Sequence, residues 1–134
     1  LRRLDDSSLR RARHAAAYNR LFEEAGFTGG TSPPLRLPET PPGRHIYNQY
    51  TLRCSDPDSR DALREFLAAN KIATEIYYPI PLHLQPCFAD LGGAEGDLPV
   101  CEEWAGRVLA LPIHPGVTSS QREEVVAAIA AFYS

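Results

Sequence analysis

The sequence predicts an α+β fold, a small three-stranded sheet packed with helices, preceded by a long helix and a Pro-rich connector. Three observations predict it. Apolar residues recur at three- and four-residue spacing near both ends of the chain, which marks amphipathic helices. Residues 45–53, 71–78 and 108–113 concentrate β-branched and aromatic side chains, which marks strands. Residues 29–44 put five prolines and three glycines between the first helix and the first strand, so an extended connector is expected there. The chain has 134 residues, 43% of them hydrophobic and 23% charged, enough for one globular domain.

The elements follow in order. From Asp5 to about Ala25, residues Ala12, Ala15, Ala16, Tyr18, Leu21 and Phe22 form one apolar face; Asp5 and Asp6 suit the first turn, and Gly26 suits a left-handed stop. This linking helix over 1–28 need not pack on the sheet that follows. After the connector, HIYNQYTLR at 45–53 reads as a strand with Ile46, Tyr50 and Leu52 on one face. Ser55 or Asp56 caps the next helix, Pro57 sits in its first turn, and Leu63, Phe66 and Leu67 form its buried stripe up to Asn70. KIATEIYY at 71–78 is the second predicted strand. Residues 79–97 are irregular, with room for one turn over Gln85–Ala89. Pro99 opens a helix through Arg107, Val108–Ile113 is the third strand, and Ser119 or Ser120 caps a last helix ending near Phe132. The predicted small domain therefore runs over 45–134.

Charge and composition exclude several roles. Formal charge is −3, without the positive field that nucleic-acid binding needs, and no run approaches the ~20 apolar residues of a membrane helix. No nucleic-acid or membrane partner is expected. Residues 1–20 carry six arginines against two aspartates, which reads as a solvated helix face, with docking of an acidic protein partner as the other reading. Cys54, Cys87 and Cys101 form no C-x-x-C pair, which fits a reducing, cytoplasmic setting. The chain starts at Leu1 and contains no methionine, so a longer gene product is expected.

The segment richest in chemistry is Tyr77-Tyr78-Pro79-Ile80-Pro81-Leu82-His83-Leu84-Gln85-Pro86, where phenols, an imidazole and an amide leave a strand end on a proline-stiffened backbone. Two readings stand side by side: ligand contact, or tyrosines packed as aromatics with His83 bonded within the loop. His83 and Cys87 stand four apart, but further ligands lack a recognisable spacing, so neither a metal nor a cysteine nucleophile is expected and buried free thiols are the better reading. Gly92-Gly93-Ala94-Glu95-Gly96 is a weak phosphate-loop signal, because it follows no strand and opens no helix as a cradle would. Glu102 and Glu103 read as ordinary first-turn charges.

Three ordered signatures carry a resemblance. They are His45 with Gln49 and Tyr50, then Tyr78-Pro79-x-Pro81-Leu82-His83, then Leu98-Pro99 with Glu102 ahead of Leu109-Ala110-Leu111-Pro112. With Arg10, Arg11, Ala15, Tyr18 and Leu21 of the first helix, the chain resembles, nearly end to end, the C-terminal small domain of the DegT/DnrJ/EryC1/StrS family of sugar aminotransferases.

That resemblance implies a fold-type I enzyme that uses pyridoxal phosphate to move an amino group, usually from glutamate, onto a nucleotide-linked keto sugar. It implies a homodimer and a role in amino sugar biosynthesis. The chemistry needs a lysine to hold the cofactor, which in the family belongs to a large domain. The one lysine, Lys71, matches no such position. No catalytic, cofactor-binding or metal residue is therefore expected in this chain, and the chain alone is expected to bind no pyridoxal phosphate and to be inactive. Its implied role is substrate binding by His83, Tyr78, Tyr77 and Gln85. His45 is read as a satisfied histidine rather than an interdomain contact. The alternative function is a non-catalytic module for sugar-nucleotide binding or dimerisation.

Overall fold

The computed structural model describes residues 3–28, 33–40 and 42–134. Parts of the predicted linking helix (1–2) and connector (29–32 and 41) lie outside the described residues.

Helix α1 spans Leu4–Glu24 with Asp5 and Asp6 in its first turn. It stops as predicted: Gly26 takes φ +83°, its N–H donates to the Glu23 carbonyl, and the Phe27 N–H donates to the Phe22 carbonyl. Only a residue without Cβ adopts that conformation freely. The two phenylalanine rings then close edge to face at 5.6 Å. Far from standing apart, α1 supplies Ala15, Tyr18 and Phe22 to the main core and packs against the last helix. Tyr18 stacks on Tyr50 at 5.0 Å and donates its hydroxyl to the Pro112 carbonyl. An apolar face of this size finds its partner in the nearest apolar surface, here the sheet and α4.

Strand β1 is only Leu35–Arg36, inside the stretch expected to hold no regular structure. Two residues between prolines suffice, because an edge strand needs donors on one side only. β1 pairs antiparallel with β2, Tyr50–Cys54, placing Leu35 opposite Cys54 and Arg36 opposite Arg53. β2 starts later than predicted because the His45 Nδ1 accepts from the Tyr47 N–H and Tyr47 takes φ +44°. That turn interrupts the alternation: Tyr47 is buried and Ile46, expected inside, is exposed.

Helix α2, Pro57–Ala69, is capped by Asp56, whose carboxylate accepts from the Ser59 N–H at 2.7 Å. It ends with the same double bond as α1, Lys71 N–H to Ala68 and Ile72 N–H to Leu67, but with Lys71 in the left-handed position at φ +60°. The predicted strand at 71–78 reduces to one bridge, Glu75 with Ala110. Lys71 turns the chain toward the sheet late and Pro79 cannot extend a ladder, so Glu75 alone exchanges bonds with Ala110. The sheet's third strand is therefore β1, and its order is β1-β2-β3.

Helix α3, Pro99–Arg107, runs straight into β3, Val108–Leu111. β3 pairs antiparallel with β2 from Arg53↔Val108 to Tyr50↔Leu111. Helix α4, Ser119–Phe132, is capped by Thr118 rather than a serine, because Gln121 three residues on returns its side chain to the Thr118 N–H. α4 packs on α1 and α2, and Arg122 of α4 donates to His14 Nδ1 of α1 at 2.8 Å. Among the described residues no helix is long and apolar enough to cross a membrane.

Candidate functional site

The chain leaves the Glu75 bridge and buried Ile76 for a long excursion over 77–98 that carries all four predicted contact residues. Its first residues, Tyr77 and Tyr78, are 44% and 66% exposed, with rings edge to face at 5.8 Å. Exposed phenols that pack chiefly on each other offer two hydroxyls outward. Two short 3-10 turns follow, Leu82–Leu84 and Pro86–Leu91. Two turns replace the single one expected because Pro81 and Pro86 each start a tight bend.

His83 does not face open solvent. Its Nε2 lies 2.9 Å from a carboxylate oxygen of Glu102 in α3, with the two side chains only 13% and 18% exposed. The same carboxylate accepts from the Gly96 N–H at 2.9 Å and the Leu98 N–H at 3.1 Å. Glu102 is thus the hub that folds the glycine loop back onto α3. The Gly96 N–H, then the His83 ring, then the Leu98 N–H hold its carboxyl below the usual glutamate range. Gly93 completes the closure, since a Cβ there would come within 2.7 Å of the His83 carbonyl oxygen.

With Nε2 engaged by Glu102, His83 Nδ1 is buried and has no hydrogen-bond partner. Gln85 turns inward, donating Nε2 to the Ile80 carbonyl at 3.2 Å. The structure therefore separates the four predicted residues into two exposed phenols and two side chains that brace the loop. Sequence reasoning missed Glu102, taking it for a first-turn charge. The legible signal was its position four residues after Leu98, which lets a carboxylate reach back over the helix start.

Cys87 touches Gln85 rather than His83, and both Cys87 and Cys101 are exposed, contrary to the expectation of buried thiols. Only Cys54 is buried, and burial pushes its thiol up. Among the described residues no group of three or more His, Cys, Asp or Glu gathers to hold a metal.

Two clefts flank the sheet. One, of about 650 Å³, is lined by Tyr77, Lys71, Thr74, Glu75, Gln49 and His114, among others. The other, of about 750 Å³, lies over the outer face of β1 and β2. Of the four predicted contacts only Tyr77 lines either.

The family model for the DegT/DnrJ/EryC1/StrS aminotransferase family matches residues 1–130. The chain belongs to this family. Among relatives of this aminotransferase-family chain, the pleiotropic regulatory protein of Geobacillus stearothermophilus is 44% identical over 131 residues, covering 97% of this chain and 33% of that protein. The dTDP-3-amino-3,4,6-trideoxy-alpha-D-glucose transaminase of Streptomyces venezuelae is 38% identical over 129 residues, covering 96% and 32%. Among solved structures, DesV of S. venezuelae superposes with TM-score 0.83 at 35% identity, over 98% of this chain and 33% of that one. An aminotransferase of the same family from Brucella abortus gives TM-score 0.81 at 32% identity, over 100% and 33%. The chain spans about a third of the length of the curated relatives it matches, which agrees with a C-terminal small domain.

Pyridoxal phosphate does not fit the described residues. Its chemistry needs an amine held beside an acidic partner and a phosphate cradle. Lys71 is exposed at a helix end, and the glycine loop that might cradle phosphate is closed on Glu102 and His83.

Proposed function

We propose that this chain is the C-terminal domain of a pyridoxal-phosphate-dependent aminotransferase that transfers an amino group, from glutamate, to a nucleotide-linked keto sugar. The observation that carries this reading is the match of nearly the whole chain to one third of sugar transaminases, in sequence and in fold. In this reading α1 leads out of a preceding large domain that holds the cofactor, two copies assemble as a homodimer in the cytoplasm, and the chain alone transfers nothing.

The contribution of these residues is to shape the mouth of the site. Tyr77 and Tyr78 offer hydroxyls to the sugar or the amino donor, and the exposed Ile80, Leu82 and Leu98 beside them supply an apolar surface for the large domain or the partner. His83 holds the excursion through Glu102 and keeps Nδ1 for a polar group of substrate. Gln85 braces the same bend.

The test is the gene product as the source cell makes it, purified and sized, then supplied with pyridoxal phosphate, glutamate and a panel of nucleotide-linked keto sugars. A product much heavier than 14.8 kDa that forms 2-oxoglutarate and an amino sugar supports the reading. A heavy product that binds pyridoxal phosphate yet aminates none of the panel overturns the substrate class. A product of 14.8 kDa overturns the enzyme reading in favour of a binding or dimerisation module.

A further inference from the structure

The outer face of the sheet breaks a local rule. Arg36 and Arg53 stand directly opposite each other on β1 and β2, so their side chains leave the same face about 5 Å apart at Cβ. Like charges in that relationship destabilise a sheet. Neither guanidinium belongs to any ion pair among the described residues. Nothing in the fold needs the charge of Arg36, whose side chain is exposed on an edge strand. Local rules broken without a structural return mark a functional surface.

What surrounds the pair specifies a ligand. The Arg53 guanidinium lies over the Trp104 ring, 4.9 Å from its centroid, which orients its donors across the cleft, and Trp104 still remains 45% exposed. Thr51, two residues before Arg53 on the outward face of β2, adds a hydroxyl. His45 lines the same cleft; because its Nδ1 accepts from Tyr47 N–H, its neutral ring carries the hydrogen on Nε2, a further donor. The one carboxylate lining the cleft is Glu39, exposed and outside every ion pair. Paired planar guanidiniums match phosphate oxygens, and an open indole matches a flat base.

We propose that Arg36, Arg53 and Trp104 form a nucleoside-diphosphate site, the guanidiniums taking the phosphates and the indole the base. The inference rests on the proposed function for its link to a nucleotide-linked substrate, and it moves that substrate's nucleotide end to the outer face of the small sheet, away from the Tyr77–Gln85 excursion.

The test is titration of the full-length gene product with UDP, dTDP, inorganic pyrophosphate and uridine. Arg36→Ala and Arg53→Lys should each weaken UDP and pyrophosphate about tenfold. Trp104→Ala should weaken UDP while sparing pyrophosphate, and added salt should weaken both. The lysine variant keeps the charge over Trp104, and Arg36→Ala removes an exposed side chain, so folding is preserved. Unchanged UDP affinity in the double variant Arg36→Ala, Arg53→Lys overturns the site. Amino transfer with wild-type KM in that double variant overturns it too, while leaving the proposed function standing. UDP binding that depends on the two arginines in a wild-type protein without amino transfer supports the site and refutes the function.

Discussion

His83 Nε2 and a Glu102 carboxylate oxygen meet at 2.9 Å across nineteen residues of chain. Everything between them, the two 3-10 turns and the glycine loop, is closed by that contact together with the Gly96 and Leu98 amides on the same carboxylate. The excursion that carries Tyr77 and Tyr78 is therefore anchored at its far end to the start of α3, and its geometry depends on one acid.

Acid should open this closure. A carboxyl lowered in the folded state adds stability that is complete above its unfolded value, about 4.3, and is lost as pH falls through the lower folded value. Hydrogen-exchange protection of the Gly96 and Leu98 amides should fall in that range, and Glu102→Gln should remove the dependence. Identical acid profiles for the two proteins would refute Glu102 as the hub.

Tyr18 ties α1 to the sheet, and its removal should show that the helix belongs to the folded unit. Tyr18→Phe leaves the Pro112 carbonyl unpaired and should cost about 1 kcal/mol; Tyr18→Ala should cost about 3–5 kcal/mol in urea unfolding. Burial, partly offset by Arg122, pushes the phenol up to about 12. A group raised in this way contributes stability that is present in full below its unfolded value, about 10, and lost as pH rises from there through about 12. Alkaline unfolding should accordingly begin above about pH 10.

Lys71 occupies a helix stop that favours glycine. With φ +60° and a full pair of closing bonds already in place, Lys71→Gly should raise stability by on the order of 1 kcal/mol, read as an increased urea midpoint with an unchanged slope. A lower midpoint would mean that the lysine side chain stabilises the fold in another way.

The exposed Tyr78 hydroxyl should act on substrate and not on folding. In the full-length gene product, Tyr78→Phe should raise KM for the sugar about fivefold, the equivalent of roughly 1 kcal/mol, with an unchanged melting temperature. A shift in melting temperature without a change in KM would make Tyr78 a structural residue.

Local signals fared according to how local their physics is. Gly26, Asp56, Pro57, Pro99 and the ends of α2 and α3 were legible because capping and proline geometry act within one turn. The 71–78 segment was misread as a strand because β-propensity counts side chains, whereas a ladder needs an edge in reach over several residues. The kink at Tyr47 was hidden because it depends on a histidine side chain accepting a backbone N–H, which no alternation pattern records. The phenols of the candidate site were legible as a motif on a strand exit, and Glu102 was not, because its partners lie on a loop whose path the sequence leaves open.

By itself the sequence determined the family, the α+β class, the helices and the segment that carries the polar groups, since these follow from ordered motifs, periodicity and turn chemistry along the chain. Only the tertiary structure decided that α1 belongs to the core, that Leu35–Arg36 supplies the third strand, that His83 is committed to Glu102, and that Arg36 faces Arg53 beside Trp104. Each of those is a meeting of residues far apart in sequence, chosen by which apolar faces bury each other and which polar groups are left to satisfy, and that choice is made over the whole chain at once.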